Sequence, residues 1–273
     1  MNHLLAFAQR AALLIILSLV ACRPIVGTPV RTGWAVDALR GRLVLLYVDR
    51  SASVADTMWS EPMQRLTAEL RAGDRLLVYP IGTRAPDVPL LDTTLAGSVA
   101  DRLSGELGLS TRVSRMRDSE RARDLAVALR QRAAAARAVV GAAQSAIVSA
   151  ICHAVQLTSA NPDRRAVAVL LTDGVEESQY GNLSRGRPTP QLARRVVGAV
   201  RVNGGCAAVS EWPTIRMVGI RHRSNTQALL RWWMIVLTEM GYLPSPDDVS
   251  THRLTPFLAA SIRPQADKGP HDQ

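Results

Sequence analysis

Asp49, Ser51 and Ser53 stand at alternate positions directly after the apolar run Leu43 to Val48. A second apolar run, Ala166 to Leu171, empties into Thr172, Asp173 and Gly174. Carboxylates and hydroxyls offered together, without nitrogen or sulfur, suit Mg²⁺ or Mn²⁺, which prefer octahedral oxygen coordination. A tight loop with side chains at i, i+2 and i+4 can aim all three inward. Hydroxyls ligate without adding charge. Such a site leaves the cation incompletely neutralised, with a position open to one more anionic ligand.

The elements that must carry these residues follow from the same runs. Both are apolar throughout rather than alternating, as central strands of a parallel sheet covered on both faces are. Ligands of open α/β sheets bind in the crevice beyond the carboxyl ends of the strands. Asp49 and Asp173 therefore belong to one edge of the sheet. Leu76 to Ile81 and Ile215 to Ile220 read as further strands, and Val88 to Leu91 as a short edge strand, since Pro86 and Pro89 exclude a central position. Helices are expected from about Pro62 to Arg71 with Ser60 as N-cap, from about Ala142 to Thr158, from Thr189-Pro190 to Val202, and from Thr226 to Met240, closed by Gly241. This order predicts an α/β fold: a doubly wound, mostly parallel sheet flanked by helices, with a helical insertion at about 98–140. Arg112 to Arg137 within the insertion is rich in Arg and Ala, its charge offset by Asp118, Glu120 and Asp124. It reads as a solvated helix face, with a binding surface for an acidic partner as the alternative.

The Asp-x-Ser-x-Ser of Asp49, Ser51 and Ser53, with Asp173 after a later strand, resembles the metal-ion-dependent adhesion site of von Willebrand factor A domains. The resemblance implies a Rossmann-like fold over about residues 41 to 243 and a divalent metal held by these residues. The family's Thr between the two elements has no direct counterpart. Gln144 to Ile151 looks like the family's Thr-x-Ile-x-x-Ala-Leu segment and would put Ser145 in that place. Thr111, in a polar stretch before the long Arg/Ala segment, is the competing candidate. The implied function is metal-dependent capture of a Glu or Asp offered by a protein partner. Glu176 and Glu177 follow Asp173 closely and could influence the metal from behind its ligands, though exposed loop carboxylates are the commoner reading.

Residues 1–21 read as a secretory signal: Arg10 supplies positive charge, and Ala11 to Val20 is an apolar core short for a membrane span. Leu19-Val20-Ala21-Cys22 looks like a bacterial lipobox, with Cys22 the acylated first residue of the mature protein. Residues 22–40 form a tether, 41–243 the domain, and 244–273 a Pro-rich tail. The expected location is the cell envelope, anchored by lipid and facing the periplasm or exterior. Hydrophobic residues make up 47% and charged residues 21%, a globular balance. The net charge of +10 rests almost wholly on arginine, since Lys268 is the one lysine, and that matches the coding bias of a GC-rich genome. Cys152 and Cys206 remain after lipidation, either paired or as free thiols; export favours a disulfide.

Three function classes fit these residues to different degrees. The binding module needs no turnover. A Mg²⁺-dependent hydrolase or phosphoryl-transfer enzyme using Asp49 and Asp173 is the alternative, but no Asp-x-Asp nucleophile, phosphate-binding loop or Gly-x-Ser-x-Gly elbow accompanies them. A nucleic-acid binder ranks last, for the arginines lack interleaved aromatics and any known recognition motif. The sequence therefore reads as a non-enzymatic, membrane-anchored module with no nucleic-acid partner.

Overall fold

In strand β1 (Leu43–Asp49) every residue is buried, and its side chains divide by parity between two cores. The computed structural model describes residues 41–49, 57–83, 88–95, 120, 123–125, 127–128, 131, 145–184, 186–203, 206, 211–222 and 225–251, all within the unit Ala35–Gln273. Leu43, Leu45 and Tyr47 face one core, while Val44, Leu46 and Val48 face the other. Strand β4 (Ala166–Leu171) divides the same way, with Ala166, Ala168 and Leu170 on the first face and Val167, Val169 and Leu171 on the second. A strand buried on both sides needs no polar alternation, which is why both runs are apolar throughout.

The first face is covered by three helices: α2 (Ile147–Ser159), α3 (Pro190–Val202) and α4 (Thr226–Met240). The second is covered by α1 (Thr57–Glu69), through Met63 and Leu66, with Leu70 just beyond its end. Leu125, from the helical positions at 120–131, packs partly buried on this second core. Strands β2 (Arg75–Ile81), β3 (Leu91–Thr94), β5 (Thr214–Val218) and β6 (Val249–Ser250) complete a six-stranded sheet ordered β3-β2-β1-β4-β5-β6. All neighbours are parallel except β3, which runs antiparallel to β2. The chain is thus a doubly wound, mostly parallel α/β domain. Its strand order reverses between β1 and β4, where such sheets open a ligand crevice.

Several boundaries differ from the sequence reading. α1 begins at Thr57, so Pro62 lies inside the helix and forgoes one intrahelical bond. Burial of Met63 and Leu66 holds the helix through that loss. The edge strand begins at Leu91 rather than Val88, which is 74% exposed. α2 begins at Ile147, with Ala146 at its N-cap position in a non-helical conformation. The domain does not end at 243: Pro246–Asp248 form a 3₁₀ turn, and β6 pairs with β5. The tail's first residues are built in because Asp248, wholly buried, forms an ion pair with buried Arg216.

Candidate functional site

The register aligns Val48 with Leu171, so Asp49 and Thr172 come one step later at the carboxyl ends of neighbouring strands. By parity both continue the face covered by α2. The contacts agree. Thr172 Oγ1 donates to Asp49 Oδ2 at 2.7 Å, and Ser145 Oγ, just before α2, donates to Asp49 Oδ1 at 2.8 Å. One carboxylate thus gathers hydroxyls supplied 96 and 123 residues away. All three residues are buried. A hydroxyl that donates to a carboxylate keeps its oxygen lone pairs for another acceptor function.

Thr172 Oγ1 also accepts the Gly174 N–H at 3.0 Å. Asp173, buried, turns its Oδ1 onto the Val175 N–H at 2.9 Å, closing an Asx turn, and its carbonyl accepts the Arg221 N–H at 2.8 Å. Of the sequence-derived ligands, the structure joins Asp49 directly to Ser145 and sets Asp173 on the adjacent strand end. Ser51, Ser53, Thr111 and Cys22 lie outside the described residues. Among the described residues, no three of His, Cys, Asp and Glu converge to hold a metal ion. Any cation here would depend on hydroxyls for much of its shell.

Glu176 corrects the sequence reading. It is wholly buried, not an exposed loop carboxylate, and its Oε2 accepts the Val148 N–H at 3.0 Å. Burial pushes its acid up to about 7 against the downward pull of the Ser178 hydroxyl and the Val148 and Ile147 N–H groups, and the charge of Asp49 adds to the rise. Glu177 is partly exposed, and its N–H donates to the Ser145 carbonyl at 2.8 Å. In sequence the two glutamates look alike. Only the packing of α2 against the loop after β4 separates them.

Nearby, Tyr47 and Tyr79 lie side by side in the β1–β2 register and stack with ring centroids 5.5 Å apart. His153 of α2 bonds Tyr47 Oη through Nδ1 at 2.9 Å and meets Tyr79 edge-on. Burial, then the neighbouring Tyr79, raise the Tyr47 hydroxyl well above the ordinary phenol range. The pair is a structural anchor for α2 under the site. The adjacent Cys152 points elsewhere and is disulfide-bonded to Cys206, with Cα atoms 4.8 Å apart.

No protein-family profile and no curated protein matches the chain. Solved structures do, among them the conserved hypothetical protein BatB from Bacteroides thetaiotaomicron and an aerotolerance-related membrane protein from Bacteroides fragilis. Each is 12% identical over 74% of this chain with a TM-score of 0.35, covering 88% and 89% of the respective neighbour. The functional reading therefore rests on this chain's own residues. Among the described residues, no helix is long and apolar enough to cross a membrane.

Proposed function

We propose that the protein is a membrane-anchored, extracytoplasmic binding module of von Willebrand factor A type, which captures an acidic side chain of a protein partner through Mg²⁺ or Mn²⁺. The observation that carries this reading is the Asp49 carboxylate at the sheet's switch point, bridged by the Ser145 and Thr172 hydroxyls. Its donors are all oxygen and largely neutral, the chemistry that hard divalent cations select. Asp49, Ser51, Ser53 and Asp173 would hold the ion, with Ser145 in place of the family's Thr. The bound cation would supply an electrophilic position for the partner's carboxylate. The protein's own residues orient the donors: Asp49 fixes both hydroxyls, and the Asx turn fixes Asp173. Anchoring through a lipid on Cys22 belongs to the same proposal.

Calorimetry of the full chain with Mg²⁺ and with Mn²⁺ tests it. Binding is expected in the parent and lost in Asp49→Ala, with the far-ultraviolet spectrum retained. A parent that binds neither ion rejects the metal mechanism. For the anchor, Cys22→Ser is expected to leave a precursor or release soluble protein, and a variant that fractionates and migrates like the parent rejects it.

A further inference from the structure

Helix α2 starts without a cap of its own. Ala146 occupies its N-cap position, with φ −86° and ψ 71°, and provides no side-chain hydrogen bond to the first turn. The first N–H groups of a helix need partners from outside it. Glu176 supplies one across 28 residues, from the loop after β4, through Oε2 on the Val148 N–H. Its other oxygen, Oε1, is buried without a hydrogen bond of good geometry. An apolar side chain would escape that desolvation cost, but it would leave the Val148 N–H unpaired.

The same loop grips the residues just before the helix. Glu177 N–H donates to the Ser145 carbonyl at 2.8 Å, and Leu183 N–H donates to the Glu176 carbonyl at 2.8 Å. From the other side, Ala146 N–H donates to the Gly82 carbonyl at 2.7 Å. The peptide joining Ser145 to Ala146 is therefore held at both its carbonyl and its N–H, with the Ser145 hydroxyl directed at Asp49.

We propose that Glu176 is a positioning residue: capping α2 from the β4 loop, it sets the first turn of that helix and so holds the Ser145 hydroxyl against Asp49. The inference deepens the proposed cation site and rests on it for the affinity readout, whereas the cap is read separately. Groups that orient metal ligands from behind typically contribute about 10–100-fold in metal affinity.

The test combines Mn²⁺ calorimetry and amide hydrogen exchange on the full chain. Glu176→Ala is expected to speed exchange at Val148 about tenfold and to weaken Mn²⁺ binding by about 10–100-fold. Glu176→Gln, which keeps an oxygen acceptor, should recover most of both losses, and Glu176→Asp, one methylene short, should fall between. In a Ser145→Ala background the Glu176→Gln and Glu176→Asp changes should alter affinity less than about twofold, because the effect runs through Ser145. Equal losses in both backgrounds, or Val148 exchange unchanged in Glu176→Asp and Glu176→Ala, overturn the proposal. Should Glu176→Ala not fold, the Gln and Asp variants decide alone. A parent that binds no Mn²⁺ rejects the cation reading only. The Ser145 amide and Cβ chemical shifts, moved by Glu176→Asp and restored by Glu176→Gln, then decide the positioning role.

Discussion

Trp233 Nε1–H donates to the Gly174 carbonyl at 2.8 Å, so a residue of α4 holds the turn that follows Asp173. Gly174 has φ +80°, and a Cβ there would lie 2.7 Å from Ile220 Cδ1 and 3.1 Å from Trp233 Nε1. The left-handed backbone costs a non-glycine residue about 1–2 kcal/mol, and overpacking adds about 1–3 kcal/mol. We expect Gly174→Ala to destabilise the domain by at least about 2 kcal/mol. Trp233→Phe should cost about 1–3 kcal/mol, because it leaves the buried carbonyl unpaired. Urea unfolding followed by circular dichroism measures both, and a Gly174→Ala variant as stable as the parent would contradict the tight packing around this turn.

The two hydroxyls on Asp49 have separable roles. Thr172 also binds the Gly174 N–H, whereas Ser145 bonds Asp49 from outside the β4 loop. Thr172→Val keeps the shape and removes a donor to a buried carboxylate, so we expect a loss of about 1.5–3 kcal/mol in stability. Ser145→Ala should weaken Mn²⁺ binding more than Thr111→Ala does. The reverse order in calorimetry would move the middle ligand to Thr111.

Glu176 gives stability a pH dependence with a fixed sign. Its acid is raised from 4.5 to about 7 by burial, so the folded protein holds the proton that the unfolded chain has released. Its contribution is therefore fully present below pH 4.5 and is lost as pH rises through about 7. The shift corresponds to roughly 3 kcal/mol at most. Glu176→Gln cannot ionise, so its stability relative to the parent should increase between pH 5 and pH 8. Chemical denaturation at those two pH values checks this. A difference that stays flat would show that the parent carboxyl titrates as an ordinary glutamate.

Much of the sheet was legible because burial on both faces writes itself as unbroken apolar runs, and β1 and β4 are such runs. Asp49, Thr172 and Asp173 are conspicuous because they end those runs. The helix ends at Thr189 and Gly241 were legible from capping chemistry: Thr189 Oγ1 accepts the Leu192 N–H, and Gly241 adopts φ 98°. Contacts between distant segments were not legible. Glu176 and Glu177 differ only in what packs over them. Arg216 lies in a strand and Asp248 among prolines, and nothing local marks them as partners across 32 residues. Pro244 and Pro246 suggested a loose tail, but Pro246 opens a turn capped by Ser245, whose hydroxyl accepts the Asp247 N–H.

The Cys152–Cys206 bond ties α2 to the segment after α3 across 54 residues. Loop-closure entropy for that span corresponds to about 4 kcal/mol in the unfolded chain. We expect no free thiol at these positions in the unreduced protein and a lower urea midpoint after reduction. Two thiols titrating freely without reductant would remove this tie from the fold.

Asp248 joins the last strand to the core. One of its oxygens pairs with Arg216 Nη1, and the other accepts the Tyr242 hydroxyl at 3.1 Å and the Ser245 N–H at 2.7 Å. Ser250 in turn accepts the Gly219 and Ile220 N–H groups, both at 3.2 Å, beside Arg221, whose N–H binds the Asp173 carbonyl. Removing one member of a buried ion pair leaves the other charge uncompensated and typically costs about 3–5 kcal/mol. Asp248→Ala should fall in that range, and a chain ending at Leu243 should lose at least as much. A chain ending at Thr251 should keep most of the stability. The double change Arg216→Met with Asp248→Leu removes both charges and should recover much of the single-variant loss. Urea unfolding of these four chains beside the parent separates the possibilities: if ending at Leu243 costs nothing, residues 244–251 are dispensable and the domain closes where its proline-rich sequence first implied.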